Sequence, residues 1–216
     1  MAAPRLPTAQ KSGSAAKAPR SRIQKRNRQI ILDAALEVFS THGFRGATLD
    51  QIATQAGLSK PNVLYYFDSK DAIHRDLLTR LLDTWLDPLR MMNPAGDPQA
   101  EIMAYMRRKL ELSRDFPRES RLFANEILQG APRIESFIRD DLRPLVDDKA
   151  QLLNEWAKAG RIAPIDPYHL SISIWALTQH YADFAAQIAM IRGDGHDALE
   201  GAETFLGALY TRLLAP

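Results

Sequence analysis

The stretch Thr48 to Lys70, TLDQIATQAGLSKPNVLYYFDSK, constrains this chain more than any other. It reads as two short helices joined by a Gly-containing turn, then the start of a third. Thr48 caps the first helix, and Gln51 three residues on completes a capping box. Ile52, Ala53 and Ala56 give that helix an inward face. Gly57 suits the left-handed position that closes a helix, and Leu58 plugs the turn from inside. Ser59 caps the second helix, and Pro61 falls in its first turn, where a missing N–H costs little. Val63, Leu64 and Phe67 are spaced to pack inward, which leaves Lys60, Asn62, Tyr65 and Tyr66 outside. Such a pair is a helix-turn-helix whose second helix carries donors and aromatics suited to DNA.

Charge points the same way once it is divided. The net value is only +2. Residues 1–70 hold 11 Lys and Arg against 4 Asp and Glu, a surplus of +7, while residues 71–216 hold 17 against 22, a balance of −5. A basic end on an acidic body implies a nucleic-acid partner for that end alone. Hydrophobic residues at 45% supply a real core, and long amphipathic runs with few glycines predict an all-α chain. The absence of cysteine excludes disulfides, thiol nucleophiles and thiolate metal sites. No apolar run is long enough for a membrane span, and the basic N-terminus lacks an apolar h-region, so a cytoplasmic protein is expected.

Along the chain, residues 1–20 read as a disordered basic arm. From Met1 to Arg28 there are eight basic residues and no acidic one, which fits either a solubilising tail or a segment touching phosphates or the minor groove. Residues 21–70 form the DNA-binding unit, with a first helix over 21–41 whose stripe runs from Ile23 to Phe39 and which Gly43 ends. The helix-turn-helix proper covers about 48–67. Residues 71–216 form a second, helical unit. A long fourth helix, capped at Asp68-Ser69 and running to about Met92, joins the two. Further helices are expected over 97–116, 118–129, 133–159 (kinked or split at Pro144), 167–191 and 197–214. There is no internal repeat.

Ile31, Ala34, Ala35, Phe39, Gly43, Thr48, Ile52, Ala53, Ala56, Gly57, Ser59, Tyr65, Phe67, Lys70 and Ile73 together resemble the TetR family of bacterial one-component repressors. The spacing of this pattern is fixed and dense. The family usually has Tyr where this chain has Leu64, and often His where it has Tyr66, so its tyrosine–phosphate contact does not transfer to Leu64; Tyr65 and Tyr66 are the replacements. Lys60 and Lys70 stand at helix N-termini, where ammonium and free N–H groups suit phosphate oxygens. Pro61 shares the leading turn that faces the groove. Asn62 can pair with an adenine edge or serve only as a polar helix start. Tyr65 and Tyr66 can reach phosphates or thymine methyls, and Arg45 and Thr48 flank the motif and can grip the backbone. A palindromic operator requires a dimer, expected through the eighth and ninth predicted helices with Ile172, Ile174, Leu177, Phe184, Ile188, Phe205, Leu206, Leu209 and Leu213.

The resemblance extends into KLELSRDFPRESRLFANEILQGAP, IAPIDPYHL and IWALTQHYADFA, which are similar to the pyrimidine-responsive branch of that family. What this implies is a homodimeric repressor of pyrimidine-breakdown genes used for nitrogen, released from double-stranded operator DNA by uracil or thymine and needing no other cofactor. Such a base presents an acceptor–donor–acceptor edge on a flat ring, which amides and aromatics can match. Gln179, Asn125, Trp85 and Trp175 supply that set, with Ser113 and Arg114 as further donors. Gln179 can equally bond a neighbouring helix backbone, and Trp175 can be plain core. A repressor of the same family with a lipophilic effector is the alternative.

An enzyme is not expected. His169 and His180 lie roughly 16 Å apart along one helix and cannot share a metal. No nucleophile triad, carboxylate pair or phosphate-cradling Gly loop can be read. Arg107-Arg108-Lys109 reads as a solvated face or an ionic contact within the unit.

Overall fold

The computed structural model describes residues 18–193 and 195–216. Residues 1–17 of the arm expected over 1–20 lie outside the described residues. Every regular element among them is helical. The first helix, α1 (Ala18–Gly46), starts inside the stretch expected to be an arm, and its regular course breaks at Gly43 (φ 64, ψ 174). It is followed by α2 (Leu49–Ala56), α3 (Lys60–Tyr66) and the linking helix α4 (Lys70–Arg90), then α5 (Pro98–Asp115) and α6 (Pro117–Leu128).

The caps form where the sequence places them. Thr48 Oγ1 accepts from Gln51 N at 3.2 Å, and Gln51 Oε1 accepts from Thr48 N at 2.8 Å. Gly57 adopts φ 65 and ψ 29, the left-handed closure that a Cβ would strain. Ser59 and Ser69 cap α3 and α4.

Several expectations need correction. Ile23 is 60% exposed and Leu64 40% exposed, so neither packs inward. On α3, Val63 and Phe67 sit four residues apart and take the buried face; Leu64, turned by about 100° from Val63, faces outward. The predicted helix over 133–159 is α7 (Glu135–Phe137), a π-turn (Ile138–Leu142) and α8 (Arg143–Lys158). Pro144 lies in the first turn of α8, where its missing N–H is tolerated, and the π-turn precedes it. The predicted helix over 167–191 is α9 (Pro167–Asp183) and α10 (Ala185–Arg192), divided at Phe184 (φ −115, ψ 26) with no Gly or Pro at the break. The last helix, α11 (Ala202–Leu214), starts after Gly201 at φ 76 rather than at Asp197.

Two large cores and a small cluster of Leu81, Trp85 and Leu112 organise the molecule. One joins α1, α2, α3 and the start of α4 through Ile31, Phe39, Ile52, Val63, Phe67 and Ile73. It also takes Leu122 of α6 and Ala131 and Ile134 from the loop after it, so one face of α6 packs against the DNA-reading end. The other joins the end of α4 to α5, α8, α9 and α11 through Met106, Trp156, Ile174, Leu206 and Tyr210. Ile174 and Leu206 are 2% and 0% exposed, so they fill the protomer's own core and are removed from the expected interface. Tyr168, Ile172, Leu177, Phe184, Phe205, Leu209 and Leu213 remain in water.

Candidate functional site

At the DNA-reading end, α3 presents Lys60, Pro61, Asn62, Leu64 and Tyr65 outward, and Tyr65 is 70% exposed. Arg45 and Thr48 are exposed beside them. Lys60 forms a surface ion pair with Asp50 at 2.9 Å, an exposed contact that phosphate can compete with. Tyr66 is turned back, its hydroxyl accepting from Asn27 Nδ2 at 2.9 Å and its ring edge-on to Tyr65 at 5.1 Å. Arg28 holds this corner, donating to Tyr66 O and Asp76 Oδ1 and lying 4.1 Å over the Phe67 ring. Lys70 departs from the expected free phosphate donor. Its ammonium donates to Phe44 O at 2.7 Å and Ala47 O at 2.6 Å, closing the turn that leads into α2. Buried carbonyls with no helical partner hold that cation more firmly than solvent does.

Behind this face lies a charged junction. Phe44 stacks near Phe39 at 5.9 Å, and His74 meets both rings edge-on at 4.8 and 5.0 Å. Burial first, then the Arg133 guanidinium, with Lys70 adding and Asp71 opposing, hold the His74 pKa down at about 4. Glu126 Oε2 lies 3.9 Å from its Nδ1. Below the ordinary histidine value the unfolded chain binds a proton that the folded chain refuses until about pH 4. Stability should therefore fall as pH drops from about 6.5 to about 4, by on the order of 3 kcal/mol. Urea unfolding at a series of pH values checks this, and His74→Leu should flatten that part of the curve.

The second unit holds a cavity of about 440 Å³ between α6 and α9. Asn125 and Gln179 both front it, together with Arg121, Phe123, Asp183 and Phe184. Residues 54 positions apart thus meet at one cavity, which no spacing in the sequence indicates. Neither carboxamide is engaged in a hydrogen bond within the described residues, so each has donor and acceptor to offer. Trp85, Ser113 and Trp175 do not line it. Trp85 is 4% exposed and packs against Phe123 at 5.8 Å, one layer behind the wall. Its indole N–H is buried without a partner. Ser113 spends its hydroxyl on Lys109 O at 3.1 Å, and Trp175 donates to Tyr105 Oη at 2.6 Å. Arg114 is exposed and paired with Asp115, away from the cavity.

Sequence reasoning missed Lys109 and Asp183. The run Arg107-Arg108-Lys109 divides: Arg107 pairs with Glu203 and Arg108 with Glu111 on the surface, while Lys109 is 5% exposed. Its ammonium lies 4.3 Å over the Trp85 ring, a favourable place for a desolvated cation. Burial pushes its pKa down to about 8, with Asp183 opposing. Asp183 accepts from Ser120 Oγ at 2.5 Å, and burial raises its pKa. The signal was available: Lys109 lies four residues from both Tyr105 and Ser113, on the buried stripe of α5. Behind the cavity wall therefore lie a buried cation and an indole N–H without a partner, while the Asp183 carboxylate fronts the cavity itself.

Two family models match the chain. Residues 31–77 match the family described as bacterial regulatory proteins, tetR family, and residues 78–216 match the YcdC-like protein C-terminal region. The chain is 49% identical over 174 residues to the HTH-type transcriptional regulator RutR of Escherichia coli K12, covering 81% of this chain and 82% of that protein. Its fold is similar to the putative transcriptional regulator SCO4942 from Streptomyces coelicolor (TM-score 0.64, 24% identity, 87% and 98% of the two chains). It is similar also to AibR in complex with isovaleryl coenzyme A and operator DNA (TM-score 0.66, 17% identity, 85% and 97%).

Proposed function

Because the chain belongs to the TetR family of DNA-binding transcriptional regulators, and not to an enzyme family, we propose that it is a dimeric repressor whose grip on a palindromic operator is weakened by a pyrimidine base. Uracil or thymine occupies the space between α6 and α9, and the genes controlled are those of pyrimidine breakdown for nitrogen. The observation that carries this reading is the convergence of the Asn125 and Gln179 carboxamides on one cavity beside Asp183. A base edge offers acceptor, donor and acceptor in a row; amide N–H groups meet the carbonyls and an amide or carboxylate oxygen meets the ring N–H. Phe123 and Phe184, which line the same cavity, supply aromatic surface for the ring faces. The 49% identity to RutR supports the same reading.

On the DNA side, the outward set Lys60, Pro61, Asn62 and Tyr65 enters the major groove. Arg45 and Thr48 grip the flanking phosphates, and Tyr66 and Lys70 act from behind by fixing the helix they brace. The dimer forms through α9 to α11.

A lipophilic effector is the second reading, favoured by Ile127 and Leu128, which line the cavity's outer side. Thermal unfolding separates the two. A ligand at about one hundred times its dissociation constant adds about 2.7 kcal/mol to stability. Uracil or thymine should raise the melting temperature and a short acyl thioester should not; the reverse ranking selects the lipophilic effector.

A further inference from the structure

Taking the α6–α9 cavity as the effector site, we propose that Arg133 is the positioning residue that couples it to the DNA-reading end. It acts through an ionic relay, Glu126–Arg133–Asp71, closed over the Phe44 ring.

The helix α6 carries two functions on two faces. Phe123 and Asn125 line the cavity. Leu122 is 2% exposed inside the core of the reading end, and the Glu126 side chain is fully buried beside it. Asn125 and Glu126 are consecutive in one turn, so a ligand that draws Asn125 inward rotates Glu126 with it. A close-packed helix responds as a unit rather than by local yielding.

Glu126 has one strong partner. Its carboxylate accepts from Arg133 N at 2.8 Å and from Arg133 Nη1 at 2.9 Å. The same guanidinium donates through Nε to Asp71 Oδ1 at 2.8 Å. Asp71 stands in the first turn of α4, next to Lys70. The guanidinium carbon is 3.4 Å from the centroid of Phe44, and the Lys70 ammonium is 4.4 Å from that ring while holding Phe44 O and Ala47 O. A displacement of Arg133 therefore reaches two things that set the head: the start of α4 and the segment entering α2. The planar fork aims Nη1 at Glu126 and Nε at Asp71 in one fixed geometry while it stacks on Phe44, an arrangement that a lysine ammonium does not reproduce.

The loop between them is built to transmit rather than absorb. Gly130 (φ 87) and Ala131 (φ 56) are both left-handed, and Ala131 is not a glycine, so the turn is held by its surroundings. Those surroundings are the reading end: Ala131 and Ile134 are 8% and 2% exposed within its core.

The test compares wild type, Arg133→Gln, Arg133→Lys and Asp71→Asn in three measurements. These are operator affinity without uracil, operator affinity with saturating uracil, and uracil affinity by calorimetry. Ligand-gated regulators typically show coupling of about 5- to 150-fold. Wild type should lie in that range. Arg133→Gln and Asp71→Asn should bind uracil yet lose most of the ratio between the two operator affinities, and Arg133→Lys should fall between. Asp71 is on the surface side of the relay, so Asp71→Asn keeps the question answerable if Arg133→Gln fails to fold. A purely structural role for Arg133 would lower stability and operator affinity while leaving the ratio intact, and that result overturns the relay. If wild type binds no uracil, the effector reading itself fails and the relay falls with it. Uracil binding with an unchanged ratio in both variants rejects the relay alone.

Discussion

Replacing Phe205 with Asp should leave the chain monomeric and weaken operator binding by about 10²- to 10⁴-fold, the range by which linking two binding modules exceeds one of them. Phe205 is 63% exposed at the start of α11, in line with Leu209 and Leu213 one and two turns on. The neighbouring helix α9 adds Tyr168 and Ile172, 46% and 51% exposed. Ser173 Oγ of α9 and Tyr210 Oη of α11 meet at 3.1 Å. A contiguous apolar stripe of this kind marks an interface. In a two-fold dimer each substitution occurs twice, and an aspartate there strips apolar contact and buries charge without a partner. Light scattering and an operator titration on the same sample check both halves of the prediction. A variant that stays dimeric at micromolar concentration with unaltered affinity removes this face from the interface.

Phe39→Ala should lower the free energy of unfolding by about 3–5 kcal/mol, the usual cost of deleting a buried phenylalanine ring. Phe39 is fully buried, with Phe44 at 5.9 Å and His74 at 4.8 Å. Its core holds the helix-turn-helix, the start of α4 and Leu122 and Ile134 from the α6 side. The void therefore loosens the reading end and its junction with α6 together. Urea unfolding measures the change; a loss below about 1 kcal/mol would mean the site collapses around the gap. Operator affinity should fall as well, because α3 is positioned by the same core.

The caps and the break at Gly43 were legible because local chemistry decides them. A Thr with Gln three residues on, or a Gly after an apolar stripe, needs no distant partner. Leu64 and Ile23 were misplaced because apolar side chains at the edge of a helical stripe can face either way, and only neighbours decide. Phe184 breaks a helix while carrying no breaker signal, so periodicity ran through it. Lys70 was expected to face DNA from its helix-terminal position; what draws it inward is a pair of carbonyls 26 and 23 residues earlier. Asn125 and Gln179 follow from their amides and from the pyrimidine ligand that the resemblance implies, whereas their meeting depends on how α6 crosses α9. Lys109 was hidden by its neighbours: read as a block, three basic residues look solvated, whereas the 100° step of a helix turns the third one inside.

The central claim is that a pyrimidine base in the α6–α9 cavity loosens the hold on DNA. The most direct test is fluorescence anisotropy with a duplex selected by this protein from random sequence, titrated with and without uracil, for wild type and Gln179→Ala. The account predicts that uracil weakens wild-type binding by about 5- to 150-fold, whereas Gln179→Ala binds the duplex as well as wild type and does not respond. Release of the variant at the same uracil concentration as wild type would contradict the account.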